Sequence, residues 1–291
     1  VNGYGDTRID AGTLQGDTQS IPGPGRLVQD AGLLVFDQDA SDPADFFGAI
    51  SGTGRVQKLG AGSLYLRTAS TYTGGTAVSA GTLEGFAGST STTGSLQGDI
   101  VDDATLVFDQ TADGSFTGAI TGAGSVTKIG TGVLTLTGAN RYTGGTTLTL
   151  GKLQGDADAI PANVAIASGT ELVFDQLGTG LHGGGISGAG SVVKQGAGTL
   201  TLGGSNSYTG TTRVLAGTLA GDTQSLQGDI DVQTGTTLAF DQSSTGSFTG
   251  LLGGAGALEK RGSGTLRLTA DHTGFTGPTT VEVDGRTLAF T

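Results

Sequence analysis

The sequence predicts an all-β solenoid, a parallel β-helix in which short strands stack turn upon turn. The pentapeptide Leu-Val-Phe-Asp-Gln begins at Leu34, Leu106 and Leu172, and Leu-Ala-Phe-Asp-Gln begins at Leu238, so the spacings are 72, 66 and 66 residues. A period of this kind is typical of a stacked array and not of a globule with one central pocket. The stretches between these markers alternate apolar and polar residues, and none has the spacing of an amphipathic helix free of glycine.

The strands are read from alternation with a period of two residues. In Leu134-Thr135-Leu136-Thr137 the leucines occupy one face and the threonines the other, and the same pattern returns at 64–67, 200–203 and 266–269. In Leu106-Val107-Phe108-Asp109 we expect Leu106 and Phe108 to face inward and Asp109 outward. Glycine, with 57 copies, interrupts these stretches at intervals and allows the chain to bend at corners.

The repeat sets the expected turn length and the repeat units. A period of 66 residues divides into three stretches of about 22, a plausible single turn of a β-helix with turns roughly 4.8 Å apart. The 291 residues then make roughly 13 turns of one solenoid. The predicted units are 1–33 (partial), 34–105, 106–171, 172–237 and 238–291 (partial). Because the chain starts and stops inside a repeat, we expect it to be a fragment of a longer protein.

Two insertions distinguish the longest repeat. The interval from Phe36 to Gly54 is two residues longer than its counterparts, and the interval from Leu83 to Phe108 is four residues longer. Both fall between strands and predict protruding loops at about 37–48 and 84–95. Loops on solenoids commonly carry specificity, so these segments are the expected binding surface.

Composition excludes several classes of function. The net charge is −12, which argues against nucleic acid and anionic membrane as partners. Without cysteine the chain can form neither a disulfide framework nor a cysteine-based metal site. The sequence has no apolar run of the roughly 18 residues needed for a membrane helix, and no signal peptide.

The segment Ile120–Leu153 reads ITGAGSVTKIGTGVLTLTGANRYTGGTTLTLGKL. It resembles the passenger-associated transport repeat of bacterial autotransporters, roughly I-S-G-x-G-x-L-x-K-x-G-x-G-x-L-x-L-x-G-x-N-x-Y-x-G-x-T. Similar segments are Ile50–Thr76, Ile186–Thr212 and, more weakly, Leu252–Thr279. In the last copy Asp271-His272 replaces the asparagine and Phe275 replaces the tyrosine.

This resemblance carries implications for fold, export and function. It implies a right-handed parallel β-helix, exported by type V secretion and displayed on, or released from, the surface of a Gram-negative bacterium. It also implies a C-terminal outer-membrane β-barrel in the full-length protein. Such passengers are associated with adhesion, self-association and virulence.

Candidate binding residues lie in the inserted loops. Four carboxylates fall close together beside Pro43, and oxygen-rich loops can bind Ca²⁺, but their spacing does not match an EF-hand. Three phenylalanines could stack on a glycan or partner, or could plug the joint between loop and solenoid. The candidates are Asp37, Asp39, Asp42, Asp45, Phe46, Phe47 and Phe86. We expect a solvated acidic loop, with no metal and no cofactor.

Catalytic patterns are weak. His182 and His272 each lie in a glycine-rich turn and are expected to be exposed, without a nucleophile motif nearby. The recurring Asp37, Asp109 and Asp175 would be three turns, roughly 14 Å, apart, whereas paired glycosidase carboxylates lie within about 9.5 Å. The tyrosines at 72, 142 and 208 are expected to be structural.

We therefore predict a non-catalytic passenger segment that acts as a rigid stalk with an adhesive or self-associating surface. The expected partners are a host surface receptor, a glycan, a matrix protein or another copy of the chain. A secretion or display scaffold for a domain elsewhere is the alternative, and a glycan-active β-helix enzyme is the third possibility.

Overall fold

The computed structural model describes residues 6–21, 27–41, 44–89, 91–282 and 287–290. The chain divides into two compact units, Val1–Thr147 and Leu148–Thr291. Every described element of regular structure is a β-strand. None of the described residues forms an apolar helix of membrane-spanning length.

The first unit contains short strands of two to five residues. They are β1 (Thr7–Ile9), β2 (Thr13–Gly16), β3 (Leu27–Asp30), β4 (Leu33–Asp37), β5 (Ala44–Phe46), β6 (Ala49–Gly52), β7 (Arg55–Leu59), β8 (Ser63–Leu66), β9 (Thr71–Tyr72), β10 (Thr76–Val78), β11 (Thr82–Gly85), β12 (Ile100–Asp102), β13 (Thr105–Asp109), β14 (Gly114–Phe116), β15 (Ile120–Gly122), β16 (Ser125–Ile129), β17 (Val133–Leu136) and β18 (Arg141–Tyr142). Strand β19 (Thr146–Leu148) lies at the boundary of the units.

The second unit contains strands of the same kind. They are β20 (Lys152–Gly155), β21 (Val164–Ile166), β22 (Glu171–Asp175), β23 (Thr179–His182), β24 (Ile186–Gly188), β25 (Ser191–Gln195), β26 (Thr199–Leu202), β27 (Ser207–Tyr208), β28 (Thr212–Val214), β29 (Thr218–Gly221), β30 (Ile230–Val232), β31 (Thr237–Asp241), β32 (Gly246–Phe248), β33 (Leu252–Gly254), β34 (Ala257–Arg261), β35 (Thr265–Leu268), β36 (Thr279–Val281) and β37 (Thr287–Phe290).

Within each unit the strands form parallel sheets, and the chain adds strands to these sheets in a recurring order. In the first unit the sheet orders are β1-β3-β6-β9, β2-β4-β7-β10-β12-β15-β18 and β5-β8-β11-β13-β16, and β14 pairs with β17. In the second they are β20-β22-β25-β28-β30-β33, β23-β26-β29-β31-β34-β36, β21-β24-β27 and β32-β35-β37. Successive strands of the chain belong to different sheets, which is the topology of a β-solenoid. The predicted all-β parallel solenoid of about 13 turns is confirmed.

The turns vary in length around the predicted 22 residues: from Leu34 through Val56 and Thr76 to Ile100, three turns take 66 residues. In the second unit Leu172 pairs with Val192, the next turn pairs Val192 with Thr212, and Thr212 pairs with Ile230. Three turns therefore take 58 residues, and the 66-residue repeat advances eight residues further. The Leu-Ala-Phe-Asp strand β31 consequently lies in a different sheet from its counterpart β22. In the first unit β4 and β13 likewise lie in different sheets.

The core consists of inward-facing aliphatic and aromatic side chains, as the alternation predicts. Leu134 and Leu136 are buried, whereas Thr135 between them is half-buried. Aromatic pairs strengthen the stacking: Phe108 contacts Phe116 edge to face with ring centroids 5.3 Å apart. Such pairs contribute about 0.5–1.5 kcal/mol beyond the burial of their area.

Glycine at a corner has a steric reason. Gly122 ends β15 with a φ of 111°, a conformation that side-chain-bearing residues rarely adopt. A Cβ at this position would lie 2.2 Å from the carbonyl oxygen of Asp102 in the preceding turn. The close approach of consecutive turns therefore requires glycine here.

Candidate functional site: the surface around the inserted loops

The predicted acidic cluster does not converge on one point among the described residues. Asp37 accepts a hydrogen bond from Gln15 Nε2 at 2.9 Å, and Asp39 accepts from the backbone N–H and the hydroxyl of Ser41 at 2.9 and 3.0 Å. These bonds lower the pKa of Asp39. Asp45 is paired with an arginine, and Asp42 lies outside the described residues.

Metal binding finds no support in this arrangement. Within the described ranges, no group of three or more histidine, cysteine, aspartate or glutamate residues is placed to hold a metal ion. Calcium needs six to eight oxygen ligands, and the three described carboxylates of this loop, those of Asp37, Asp39 and Asp45, are each directed to a separate protein partner.

The three phenylalanines have different environments. Phe46 is 1% exposed and packs edge to face on Phe36 with ring centroids 4.8 Å apart, so it belongs to the core and is not available to a ligand. Phe47, the next residue, is 49% exposed, and Phe86 is half-buried at the base of the second loop. Successive side chains of an extended chain point to opposite faces, which explains why Phe46 is buried and Phe47 is exposed.

Arg67 links the strands that carry the two inserted loops, and sequence reasoning did not identify it as a site residue. Its guanidinium contacts Asp45 Oδ1 at 2.6 Å and Glu84 Oε1 at 2.7 Å, and lies 4.7 Å from the centroid of the Tyr65 ring. Burial raises the pKa of Glu84, and the hydrogen bond from Arg67 opposes that rise. Asp45 lies in β5 and Glu84 in β11, so one cation links the strands that carry the two loops. We call Asp45, Phe47, Arg67, Glu84 and Phe86 the insert surface.

The histidine prediction is wrong for His182. This residue is buried, its ring lies 5.1 Å from that of Phe174, and its Nδ1 is 3.0 Å from the carbonyl oxygen of Ile160. Burial lowers the pKa of His182, so the ring is neutral and donates from Nδ1. His182 takes the position of Phe116 in the preceding repeat, 66 residues earlier, so it fills the core and does not form a catalytic triad.

His272 also has a structural contact. It is half-buried and its Nδ1 accepts a hydrogen bond from the backbone N–H of Leu252 at 3.1 Å. Asn140 and Asn206 do the same for Ile120 and Ile186, at 2.8 and 2.7 Å. The asparagine of the repeat motif therefore caps a backbone donor of the preceding turn, and the imidazole replaces it in the last copy.

Other recurring polar residues are also used inside the solenoid. Tyr142 is buried with its hydroxyl 2.6 Å from Thr146 Oγ1, and Tyr72 and Tyr208 repeat this contact with their own threonines. The expectation that these tyrosines are structural agrees with this placement. The glutamine of the pentapeptide is buried too: Gln110 accepts a hydrogen bond from Ala87 N.

Four lysines are fully buried, and the sequence reading did not anticipate them. They are Lys58, Lys128, Lys194 and Lys260. Lys194 shows the arrangement: its ammonium donates to the carbonyl oxygens of Gln195, Gly196 and Ala216 at 2.9, 2.7 and 3.0 Å. Burial lowers the pKa of Lys194 to about 8, and nearby Asp175 opposes this. These ammonium groups bind corner carbonyls and therefore hold consecutive turns together.

The aspartates of the pentapeptide do not stand in one row. In the first unit Asp37 ends β4 of the second sheet and Asp109 ends β13 of the third. In the second unit Asp175 and Asp241 likewise end strands of different sheets. A lateral separation is thus added to the predicted axial spacing, and the pentapeptide forms no pair of catalytic carboxylates within either unit.

Comparison with known proteins identifies the repeat. The passenger-associated-transport-repeat family matches residues 56–84, 126–154, 192–220 and 258–289. The chain is also similar to the protein named Adhesin BmaC autotransporter of Brucella suis biovar 1 (strain 1330), with 33% identity over 330 aligned residues. That alignment covers 80% of this chain and 10% of the relative, so the chain spans about a tenth of the length of the curated relative that it matches. No solved structure matches the chain significantly.

These matches bear on location and on family. They indicate a surface-exposed or secreted protein of a Gram-negative bacterium. The four repeat matches coincide with the stretches that supply the buried lysines, the tyrosine–threonine pairs and the stacked leucines. The chain therefore belongs to the autotransporter passenger domains that carry passenger-associated-transport repeats.

Proposed function

We propose that this passenger segment is a non-catalytic stalk that adheres to a host receptor, glycan or matrix protein through its insert surface. The observation that carries the proposal is the Arg67 contact with Asp45 and Glu84, which links the two strands on which the repeat-specific insertions are built. Residues shared by all repeats are largely used to hold the turns together. The insertions are the parts of the first unit that are free to differ from that pattern.

The similarity to a protein named as an adhesin supports adhesion over catalysis. The internal chemistry agrees: His182 is engaged in the core and His272 caps a backbone donor. The buried lysines bind carbonyl oxygens and are inaccessible as nucleophiles or bases.

Self-association is the second candidate, and exposed leucines favour it. Leu177 is 77% exposed and Leu181 63% exposed, in and beside strand β23 of the second unit. Apolar side chains clustered at a surface mark contact sites. This candidate uses a different part of the chain from the insert surface, so the two are separable.

The test measures binding of the purified chain to immobilised matrix proteins and to cultured epithelial cells. Phe47→Ala should weaken binding about tenfold if Phe47 is an anchor of the surface. Leu177→Ala is the control, because it removes an exposed apolar side chain from another surface. Equal binding by wild type and Phe47→Ala would contradict adhesion through the insert surface. Light scattering over a concentration series would reveal self-association, which only Leu177→Ala should then reduce.

A further inference from the structure

The second inserted loop is an expansion of a turn that recurs elsewhere in the chain. Ser95–Ile100 and Ser225–Ile230 have the same sequence, Ser-Leu-Gln-Gly-Asp-Ile. The segment before it is Asp-Thr-Gln at 222–224 but nine residues long at 86–94, an insertion of six. The base is unchanged: Phe86 N donates to Ser95 Oγ at 2.9 Å, just as Asp222 N donates to Ser225 Oγ at 2.8 Å.

The described residues of the longer loop, on both sides of Thr90, are anchored by hydrogen bonds that do not depend on a ligand. Ser89 N donates to the carbonyl oxygen of Thr92 at 2.8 Å, and their hydroxyls are 2.7 Å apart. Gly88 forms an antiparallel bridge to Ser115, whose N–H donates to Gly88 O at 2.6 Å. The backbone of Ala87 is held on both sides by Gln110. A preorganised loop loses little conformational entropy on binding.

The loop and strand β14 enclose a cleft of about 530 Å³. This volume lies within the roughly 300–1,000 Å³ of small-molecule sites. The walls carry hydroxyl groups, and the apolar Leu96 and Phe116 lie behind them. Thr93, Ser115 and Thr117 are exposed, and their hydroxyls make no hydrogen bond within the described part of the chain, so they can donate to and accept from a ligand.

The lining of the cleft contains no ionisable side chain, although the chain has a net charge of −12. The expansion itself removed a charge, because Phe86 stands where the three shorter turns have Asp17, Asp156 and Asp222. A site without cationic or anionic groups gives no advantage to a charged ligand, which would lose hydration without a compensating partner. Hydroxyl donors and acceptors suit a neutral polyol.

We propose that this cleft binds a neutral carbohydrate, such as a hexose or N-acetylhexosamine residue of a surface glycan. The inference deepens the proposed adhesive function and rests on it, in that it names the ligand class of one inserted loop. Sugar hydroxyls pair with Thr93, Ser115 and Thr117, and the buried Leu96 and Phe116 support the floor of the cleft beneath them. The insertion supplies one wall, and the repeat supplies the other.

The chain contains its own control. Gly114–Gly118 and Gly246–Gly250 have the same sequence, Gly-Ser-Phe-Thr-Gly, so the strand wall of the cleft recurs in the second unit beside the short turn 222–224. A short-loop variant replaces residues 86–94 with Asp-Thr-Gln. A transplant variant replaces residues 222–224 with the nine residues of 86–94. Both use turns that already occur in front of the same Ser-Leu-Gln-Gly-Asp-Ile segment.

The probe is a panel of immobilised neutral oligosaccharides with their sialylated and sulfated counterparts, followed by calorimetry with the best neutral glycan. Wild type should bind at least one neutral glycan and should bind its charged counterparts no more strongly. The short-loop variant should lose binding by about tenfold or more, and the transplant variant should bind two glycans per chain. Ser115→Ala combined with Thr117→Val should also lose binding, and circular dichroism should report an unchanged β-sheet content.

The outcomes separate the site from the function. Retained glycan binding by the short-loop variant, preference for the charged glycans, or no neutral glycan bound at all would overturn the cleft proposal. If wild type and the short-loop variant adhere equally to cells, the cleft proposal fails while the adhesive function stands. If neither adheres to cells or matrix, the adhesive function itself fails.

Discussion

Replacing Asp102 with valine should stabilise the first unit at neutral pH. Asp102 ends β12 and is fully buried, and its Oδ2 has no hydrogen-bond partner. Burial raises the pKa of this carboxyl to about 6. The second unit has Ile166 and Val232 at the corresponding strand ends, both buried, so an apolar side chain is compatible with this position.

The magnitude follows from the change in pKa. Raising it from 3.8 to about 6 costs the folded state about 3 kcal/mol at pH 7, because each pKa unit corresponds to about 1.4 kcal/mol. Valine removes this cost but also removes the hydrogen bond that Asp102 Oδ1 accepts from Ala104 N at 3.1 Å, worth about 1 kcal/mol. We expect Asp102→Val to raise the free energy of unfolding by about 2 kcal/mol at pH 7.

The gain should depend on pH with a defined sign. A carboxyl whose pKa is raised by folding gives the wild type a stability contribution that is fully present below pH 3.8 and lost as the pH rises through about 6. The advantage of valine should therefore disappear, or reverse slightly, at pH 4. Asp158→Asn is the control, because Asp158 is exposed and its removal should change stability by less than about 0.5 kcal/mol.

Urea unfolding followed by circular dichroism at pH 4, 5.5 and 7 measures the effect as a shift of the transition midpoint at constant slope. A variant that is less stable than wild type at pH 7 would refute the assignment of Asp102 as an uncompensated buried charge. A gain of the same size at pH 4 and pH 7 would show that packing, and not ionisation, is responsible.

Three further predictions concern the core. His182→Phe should raise stability at pH 5 more than at pH 7, because burial lowers the pKa of His182 and wild type loses this contribution as the pH falls; thermal unfolding at both pH values checks it. Lys194→Ala should cost roughly 2–5 kcal/mol in urea unfolding, because three carbonyl oxygens lose their donor. Lys194→Met should reduce, but not abolish, the rise in stability that wild type shows from pH 8 to 10, since the lowered pKa of about 8 of both Lys194 and Lys128 makes the folded state bind fewer protons there. Leu134→Ala should cost roughly 2–5 kcal/mol and Thr135→Ala under about 0.5 kcal/mol, and equal shifts of the unfolding midpoint would contradict the inward and outward assignment.

The solenoid could be predicted because its strands carry the alternation in their own sequence. Leu134 and Leu136 both face inward because side chains two residues apart on a strand lie on the same face. The face of the solenoid on which each repeat begins could not be predicted in this way. The sequence period is the number of residues between two copies of a motif. The same Leu-x-Phe strand can form part of a parallel sheet on any face of the solenoid, so successive copies of the motif can lie on different faces.

The buried lysines show where alternation and charge conflict. Lys128 has the same parity as Val126 in β16, which places it inside, whereas an ammonium group ordinarily stays in water. Corner carbonyl groups decide the outcome, because they accept the hydrogen bonds that water would otherwise accept. Which carbonyl groups meet at a corner is a property of stacked turns and cannot be read from one strand.

The sequence indicates which segments form the candidate site, but not which side chains contact one another there. The repeat lengths located both insertions, but the two extra residues after Phe36 concealed that Phe46 is the counterpart of the buried Phe116. The period did contain the signal for His182, which lies 66 residues from both Phe116 and Phe248. Arg67 stands where the next repeat has Thr137, so the sequence shows that the residue is unusual. Its two carboxylate partners come from other turns, so the sequence does not show what it contacts.

The repeat length is not a whole number of turns, and this limits how many copies of a repeated side chain can contact one partner. In each unit, corresponding strands of consecutive repeats lie in different sheets, as β22 and β31 do. A side chain that recurs once per repeat therefore faces successive sides of the coil and cannot present several copies of itself to one flat partner. A second copy of the chain aligned alongside would meet a different part of each repeat. Duplication of a repeat in the gene would therefore add turns to the solenoid without placing a second copy of a given side chain on the same side.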